Sequence, residues 1–504
     1  MVLPLPLPVI PAPLSSTVED GMLPLSGALS VHGDPAAVTL LIDAIDRRTG
    51  IRLTDAETAD GIALRIDHTV APAEGYVLTV ADRVEITGTD AAGLSYGIQT
   101  LMQLLRQDED GGWGWPHTRI TDAPRFGYRG VMLDVARHFF SVDEVKTVID
   151  RISALKFNHL HLHLSDDQGW RIHIDSWPLL SERSSTASAT GDRSLAGGGC
   201  YSKDDYRAIV AHAASRHVTI VPEIDMPGHT HAIGLAYPEL VEDPVMNEHL
   251  LDDSRRLNQA LPQAGVPYTG WGVGHSSLRI RDERTYDFIR DVLAELAEMT
   301  PGPYLHIGGD ESLGTSAEDF AYFIGRATEI ATGLGKRPIA WHEAGAADVA
   351  PGTVGQYWGS LDPDPTHAAH AGRFVERGGA LILSPSDAAY LDMKPTAEFP
   401  LGLAWAGIVD VRRARDWDPG TVLNVSADAT AGVEAPLWTE TVSSLADAEQ
   451  LMFPRIAAIA ELAWSAPEGR GSGSFGERLG RMAPLWRADG IRFHPTPEIV
   501  WSDR

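Results

Sequence analysis

Residues 304–312 read YLHIGGDES: an apolar, strand-like run, two glycines, then two adjacent carboxylates. Successive side chains of a strand point to opposite faces, so Asp310 and Glu311 could not share one site if the strand ran on through them. Gly308 and Gly309 can take backbone conformations closed to other residues. The strand can therefore end there, and both carboxylates can lean toward one place from different angles. The competing reading is a solvated loop pair, and the rest of the sequence decides between the two.

YLHIG is one of eight such runs that alternate with helical patterns from Gly130 onward. The others are GVMLDVA from Gly130, FNHLHLHL from Phe157, VTIVPEI from Val218, PIAWHE from Pro338, TVGQYW from Thr353, ALILS from Ala380 and EAPLWTE from Glu434. Strands alternating with helices are the pattern of parallel βαβ units. Helix starts lie between them: Ser141 with Glu144 and Ser202 with Asp205 both have capping-box spacing. Eight units over this length fit a (β/α)₈ TIM barrel with loop insertions. The insertions fall at 181–200, 238–283 and 391–430, after the second, third and seventh strands. The first of them holds the Ser/Gly-rich stretch SSTASATGDRSLAGGG.

The leading residues differ. IALRI from Ile62, YVLTV from Tyr76 and VEIT from Val84 read as short strands. Leu94, Ile98, Leu101 and Leu105 recur at helical spacing after a cap at Asp90. The expected organisation is a small α+β domain over 1–122 followed by the catalytic barrel over 123–504.

Composition sets the limits. The 504 residues carry a formal net charge of -28, which opposes nucleic acid or an anionic membrane as a partner. The single cysteine, Cys200, excludes an intramolecular disulfide and a thiolate zinc cluster. MVLPLPLPVIPAP lacks a basic leader and is broken by prolines, and no apolar run is long enough to span a bilayer, so a cytoplasmic location is expected.

Barrels of this class build their sites at the C-terminal ends of the strands. Those positions hold Arg137, Asp166, His229, Asp310 with Glu311, Trp341, Trp358, Tyr390 with Asp392, and Trp438 with Glu440. Tryptophan faces cover the apolar faces of sugar rings and small methyl groups, and carboxylates with Arg bind hydroxyls, so the set reads as a carbohydrate pocket. Against this stands HLHLH, 159–163, whose three histidines share one strand face. Its HxH spacing also suits a metal-dependent hydrolase. Such a site needs further ligands at later strand ends, where tryptophans stand instead, so hydrogen-bonded barrel histidines are expected and neither metal nor cofactor.

DVARHFF, HLHLSDDQGWR, EIDMPGH, HIGGDES, QYW, YLD and APLWTE, in this order from about Arg125 to Trp464, together resemble the β-N-acetylhexosaminidases of glycoside hydrolase family 20. The leading α+β unit resembles that family's N-terminal domain. The resemblance implies a retaining exo-hydrolase of β-linked N-acetylhexosamine glycosides, monomeric or homodimeric, whose nucleophile is the substrate's own acetamido oxygen. By motif position Glu311 would be the general acid and base, and Asp310 would orient the acetamido N–H and stabilise the oxazolinium intermediate. Tyr390 would donate to the acetamido oxygen, Trp341, Trp358 and Trp438 would enclose its methyl group, and Arg137, Asp392 and Glu440 would bind the sugar hydroxyls. Asp166 and His229 resemble the pair that supports the acid. Cys200 stands where the family pattern has an aromatic residue. A disaccharide-releasing relative and a barrel that binds amino sugars without turnover are the competing readings.

Overall fold

The structure, a computed structural model, describes residues 7–56, 61–108, 110–189, 198–467 and 475–503. Part of the Ser/Gly-rich stretch, 190–197, and the first six residues of the apolar N-terminus lie outside the described residues. No helix among those described is long and apolar enough to cross a membrane. By their contacts the residues form two units. One is Met1–Gly127 with Arg151–Phe157 and Phe453–Arg504; the other is Tyr128–Asp150 with Asn158–Met452.

The first unit holds the three strands and the helix read from the leading sequence, at Ile62–Ile66, Tyr76–Val80, Val84–Gly88 and Ala91–Leu104. Asp90 caps that helix by accepting from the Gly93 N–H. Residues from Phe453 onward, assigned to the barrel domain by the sequence analysis, group here. Trp464 explains why: it is buried in this unit's core, and its indole donates to Asp122 at 2.9 Å. Asp122 is a hub. It also accepts from the Tyr76 hydroxyl at 2.8 Å and from Lys156 Nζ at 2.9 Å, with both members of the ion pair fully buried. Removing one member of a buried pair strands the other charge, so Asp122→Ala should cost about 3–5 kcal/mol in equilibrium denaturation of the full chain. A loss below about 1 kcal/mol would mean that Lys156 is not held by this carboxylate.

The second unit is a closed barrel of eight parallel strands. They are β1 (Tyr128–Asp134), β2 (His159–His163), β3 (Thr219–Glu223), β4 (Tyr304–His306), β5 (Arg337–Trp341), β6 (Val354–Tyr357), β7 (Leu381–Leu383) and β8 (Thr430–Leu437). Each coincides with one of the eight runs read from the sequence. The barrel closes where β8 pairs with β1, Gly432 opposite Tyr128. Both capping boxes form: Ser141 with Glu144, and Ser202 with Asp205.

Strand alternation layers the interior. Tyr128, Val221, Ile339, Val354 and Ile382 pack into an apolar cluster. Two residues further along the same faces come Glu223, Trp341, Gln356 and Ser384, and these are polar or carry a polar handle. They join the β2 histidines and Glu434 in a buried hydrogen-bonded layer. His161 Nδ1 is 2.9 Å from Glu434 and its Nε2 is 3.1 Å from Glu223; Gln356 bonds Glu434 at 2.6 Å and Ser384 at 3.0 Å. Buried charges persist only when paired, and here every carboxylate meets several donors. The strand ends above this layer carry the site.

Candidate active site

The turn after β4 answers the geometric question posed by YLHIGGDES. Gly308 and Gly309 have φ of 70° and 105°, and Glu311 itself has φ 46°. A Cβ on Gly308 would stand 1.7 Å from Asp225 Oδ1, so glycine is required there by close approach as well as by dihedral. The Gly309 N–H donates to the same Asp225 oxygen at 3.1 Å, fixing the turn. A non-glycine residue at positive φ is rare and strained, and Glu311 shares that property with His229, whose φ is 55°. The two face each other: His229 Nε2 is 3.6 Å from Glu311 and 3.8 Å from Asp310.

A cavity of about 600 Å³ opens over this turn. Of the residues read from the strand ends, Arg137, His229, Asp310, Glu311 and Trp358 line it, as do Tyr390, Asp392, Trp438 and Glu440. Trp341 and Asp166 are close but not among the lining residues. Trp341 is buried behind the wall, with its ring centroid 6.0 Å from that of Trp438 and its indole donating to Glu223 at 3.0 Å. Asp166 is buried behind His229 and Arg137. It receives His229 Nδ1 at 3.1 Å and Arg137 Nη2 at 2.8 Å. The Arg137 guanidinium also lies over the Trp438 ring at 4.9 Å, which holds both groups in the cavity wall.

Burial and charge set the protonation of the site. Burial, helped by the neighbouring Glu311 charge and opposed by His229, pushes Asp310 up to about 6. Burial works against the Asp166 anion, but Arg137 and His229 outweigh it and hold this carboxyl well below the usual range. Burial likewise opposes the His229 cation and is overcome by Asp166, Asp310 and Asp225, so the imidazole is held well above its ordinary value. Burial keeps the Tyr390 phenol protonated far beyond neutral pH, as a hydrogen-bond donor must be. Asp310 Oδ1 and His229 Nε2 are buried with no hydrogen-bond partner among the described residues. A ligand N–H would find an acceptor in Asp310 Oδ1, and a ligand oxygen a donor in His229 Nε2.

Several residues around the cavity carry no sequence signal that singles them out. Trp405, from the 391–430 insertion, lines the cavity beside Trp358 and Tyr390, at centroid distances of 6.1 and 5.9 Å. The helix Glu248–Leu257 and Trp271, both from the 238–283 insertion, supply another part of the wall. Glu343, the last residue of the PIAWHE run, accepts the Trp358 indole N–H on both oxygens at 3.0 Å. Burial first, then Asp310, raises its carboxyl well above the usual range. Asp225 lies within EIDMPGH, and burial and the Asp310 charge raise it too.

The three HLHLH histidines are engaged with neighbouring side chains. His159 stacks on Tyr128 at 4.0 Å, His161 lies between Glu434 and Glu223, and His163 lies between Glu223 and Asp166. His161, Glu223 and His306 do bring their ligating atoms within 4.8 Å of one another. Burial opposes a charge on His161, but Glu434 and Glu223 overcome it and raise the imidazole to about 9.

A (β/α)₈ barrel with adjacent carboxylates in an aromatic-walled cavity at its C-terminal strand ends is the architecture of a glycoside-cleaving enzyme. The comparisons agree. The sequence model "Glycosyl hydrolase family 20, catalytic domain" matches residues 126–319 and 312–467, and "Glycosyl hydrolase family 20, domain 2" matches 7–123. The chain belongs to glycosyl hydrolase family 20. It is 38% identical to a β-N-acetylhexosaminidase of Cellulomonas fimi, over 98% of this chain and 97% of the relative. Among solved structures, a family 20 β-N-acetylglucosaminidase matches with TM-score 0.90 and 51% identity, over 98% of this chain and 99% of that one. The family 20 β-N-acetylhexosaminidase of Streptomyces coelicolor A3(2) matches with TM-score 0.90 and 42% identity, over 99% and 100% of the two chains.

Proposed function

We propose that this chain is a retaining exo-β-N-acetylhexosaminidase that removes terminal N-acetylglucosamine or N-acetylgalactosamine by substrate-assisted catalysis. The observation that supports it most is the division of labour between the neighbouring carboxyls: the Asp310 side chain is 10% exposed and the Glu311 side chain 33%. The buried group suits an orienting role and the more accessible one suits exchange of a proton with leaving group and water. In the first step the acetamido carbonyl oxygen attacks C1, the C1–O bond to the aglycone breaks, and Glu311 gives its proton to the departing oxygen. In the second step water attacks C1, its proton passes to the Glu311 carboxylate, and the acetamido group is restored. Asp310 accepts the acetamido N–H and balances the positive charge of the oxazolinium. Tyr390 donates to the acetamido oxygen, while Trp358 and Trp438, backed by Trp341, enclose the methyl group. Arg137, Asp392 and Glu440 hold the hydroxyls of the terminal sugar, with Asp166 and His229 behind the acid.

Release of the aryl group from a chromogenic N-acetylglucosaminide tests the activity itself; no release would leave the barrel a binding protein. Holding O4 and the outer hydroxyls excludes a chain that continues beyond them. Early products from a long chitin oligomer should therefore be monosaccharide and the oligomer shortened by one, and mid-length fragments would overturn the exo reading.

Asp310 must be a carboxylate to do its work, and its value of about 6 lies above the ordinary one. The active form is thus lost as pH falls through 6, and kcat/KM, which reports the free enzyme, should drop about tenfold per unit below it. A profile flat down to pH 4 would remove Asp310 from this role. Exhaustive chelation should leave the rate unchanged; loss restored by zinc would return the β2 histidines to the ligand reading.

A further inference from the structure

The carboxylate–histidine pair behind Glu311 does not end at Asp166. Asp166 Oδ2 receives His163 Nε2 at 2.7 Å as well as Arg137, while Oδ1 receives His229 and, at 2.6 Å, the Asp167 N–H. The other nitrogen of His163 bonds Glu223 Oε2. Glu223 is anchored in turn: its Oε1 accepts from the Trp341 indole at 3.0 Å, and His306 Nδ1 lies 2.8 Å from the same oxygen. A hydrogen-bonded chain of alternating carboxylates and imidazoles therefore runs from β3 and β5 through Glu223, His163 and Asp166 to His229, whose Nε2 stands 3.6 Å from the acid.

We propose that His163 is a positioning residue for Glu311: clamped between Glu223 and Asp166, it fixes the carboxylate that orients His229 against the acid. The proposal rests on the reading of Glu311 as the general acid. His163 is fully buried, and its ring forms a T-shaped pair with Trp438 at a centroid distance of 4.9 Å, so with both nitrogens bonded it has one orientation. It also supplies the positive charge that lets two buried carboxylates stand so close. Burial opposes that charge, but Glu223 and Asp166 raise the imidazole to about 10, so it stays charged across the working range. The other charged groups around it are Asp134, its register partner on β1, Arg137 on the shared Asp166 oxygen, and Asp225, whose carboxylate comes within 4.8 Å. Without His163, Asp166 loses one of the two contacts at Oδ2 and can rotate. His229 then loses its fixed direction toward Glu311.

The test is the dependence of kcat/KM on the leaving group, measured on the full chain. In H163N, kcat/KM for an alkyl or sugar aglycone, which needs a proton, should fall about tenfold or more, and kcat/KM for a dinitrophenyl glycoside should change by less than about threefold. Added to D166N, H163N should cost little more, because the two act through one path. E223Q, which keeps the shape and withdraws the anchoring charge, should show the same selectivity and covers the case in which H163N does not fold. Equal losses on both substrates in H163N and E223Q, or losses that multiply with D166N, would make His163 a packing residue and overturn the proposal. E311Q run alongside separates the two levels: if it too lacks leaving-group selectivity, the acid assignment falls and the proposal with it.

Discussion

A simple aryl β-glucoside is expected to be almost inert to this enzyme, although its ring, hydroxyls and leaving group match those of the aryl N-acetylglucosaminide it should cleave. What changes is the 2-acetamido group, replaced by a hydroxyl, and with it goes the carbonyl oxygen that is the proposed nucleophile. An intramolecular nucleophile held in line carries an effective concentration on the order of 10⁵ M or more, so its deletion should cost on the order of 10⁵-fold in kcat/KM. An N-trifluoroacetyl substrate keeps the oxygen but drains its electron density, and should react at an intermediate rate. A cyclic thiazoline that mimics the oxazolinium should bind far more tightly than the product, since the site complements the charged bicyclic state. Asp310→Asn should weaken that inhibitor by removing the buried carboxylate that balances its charge. A glycosyl group trapped covalently on Asp310 by a fluorinated sugar, seen by mass spectrometry, would overturn this scheme and make Asp310 an ordinary nucleophile.

The barrel could be read from sequence because each strand is short, apolar and bounded, and because βαβ alternation leaves few architectures open. The turn at 308–311 was legible for a sharper reason: two glycines before two carboxylates make sense only if the backbone leaves the strand there, and its φ values show that it does. Depth was harder to read. Trp341 sits two residues beyond Ile339 on the same face, so alternation gives its direction but not that it stops behind the cavity wall, bonded to Glu223. Asp392 apart, the insertions were read as insertions only. Nothing in 238–283 or 391–430 has a period that would bring Trp271, Asp253 or Trp405 to the cavity, because loop packing and not strand geometry puts them there. The grouping of Phe453–Arg504 with the leading residues was not legible either. The helix Arg455–Trp464 is buried on every side, and a helix buried all round does not say in which core it lies.

Glu311→Gln separates the acid role from everything else in the site. Glutamine keeps the size and the hydrogen-bonding reach of the side chain, so sugar binding through Arg137, Asp392 and Glu440 should persist, but it has no proton to give. The alkoxide of an alkyl or sugar aglycone is a poor leaving group and needs that proton. A dinitrophenolate leaves without it. For the first kind of substrate kcat/KM should fall about 10²- to 10⁴-fold, and for the second it should change little, because kcat/KM reports the step in which the aglycone departs. The same variant also lacks the base for the water that follows. With the dinitrophenyl substrate kcat should therefore fall even though kcat/KM holds, and KM should fall with it as the oxazolinium accumulates. Equal losses in kcat/KM for both substrates would show that Glu311 is not the acid of the first step. The proton would then have to come from another group in the cavity, and His229, 3.6 Å from Glu311 and held as a cation by its carboxylates, is the group to test next.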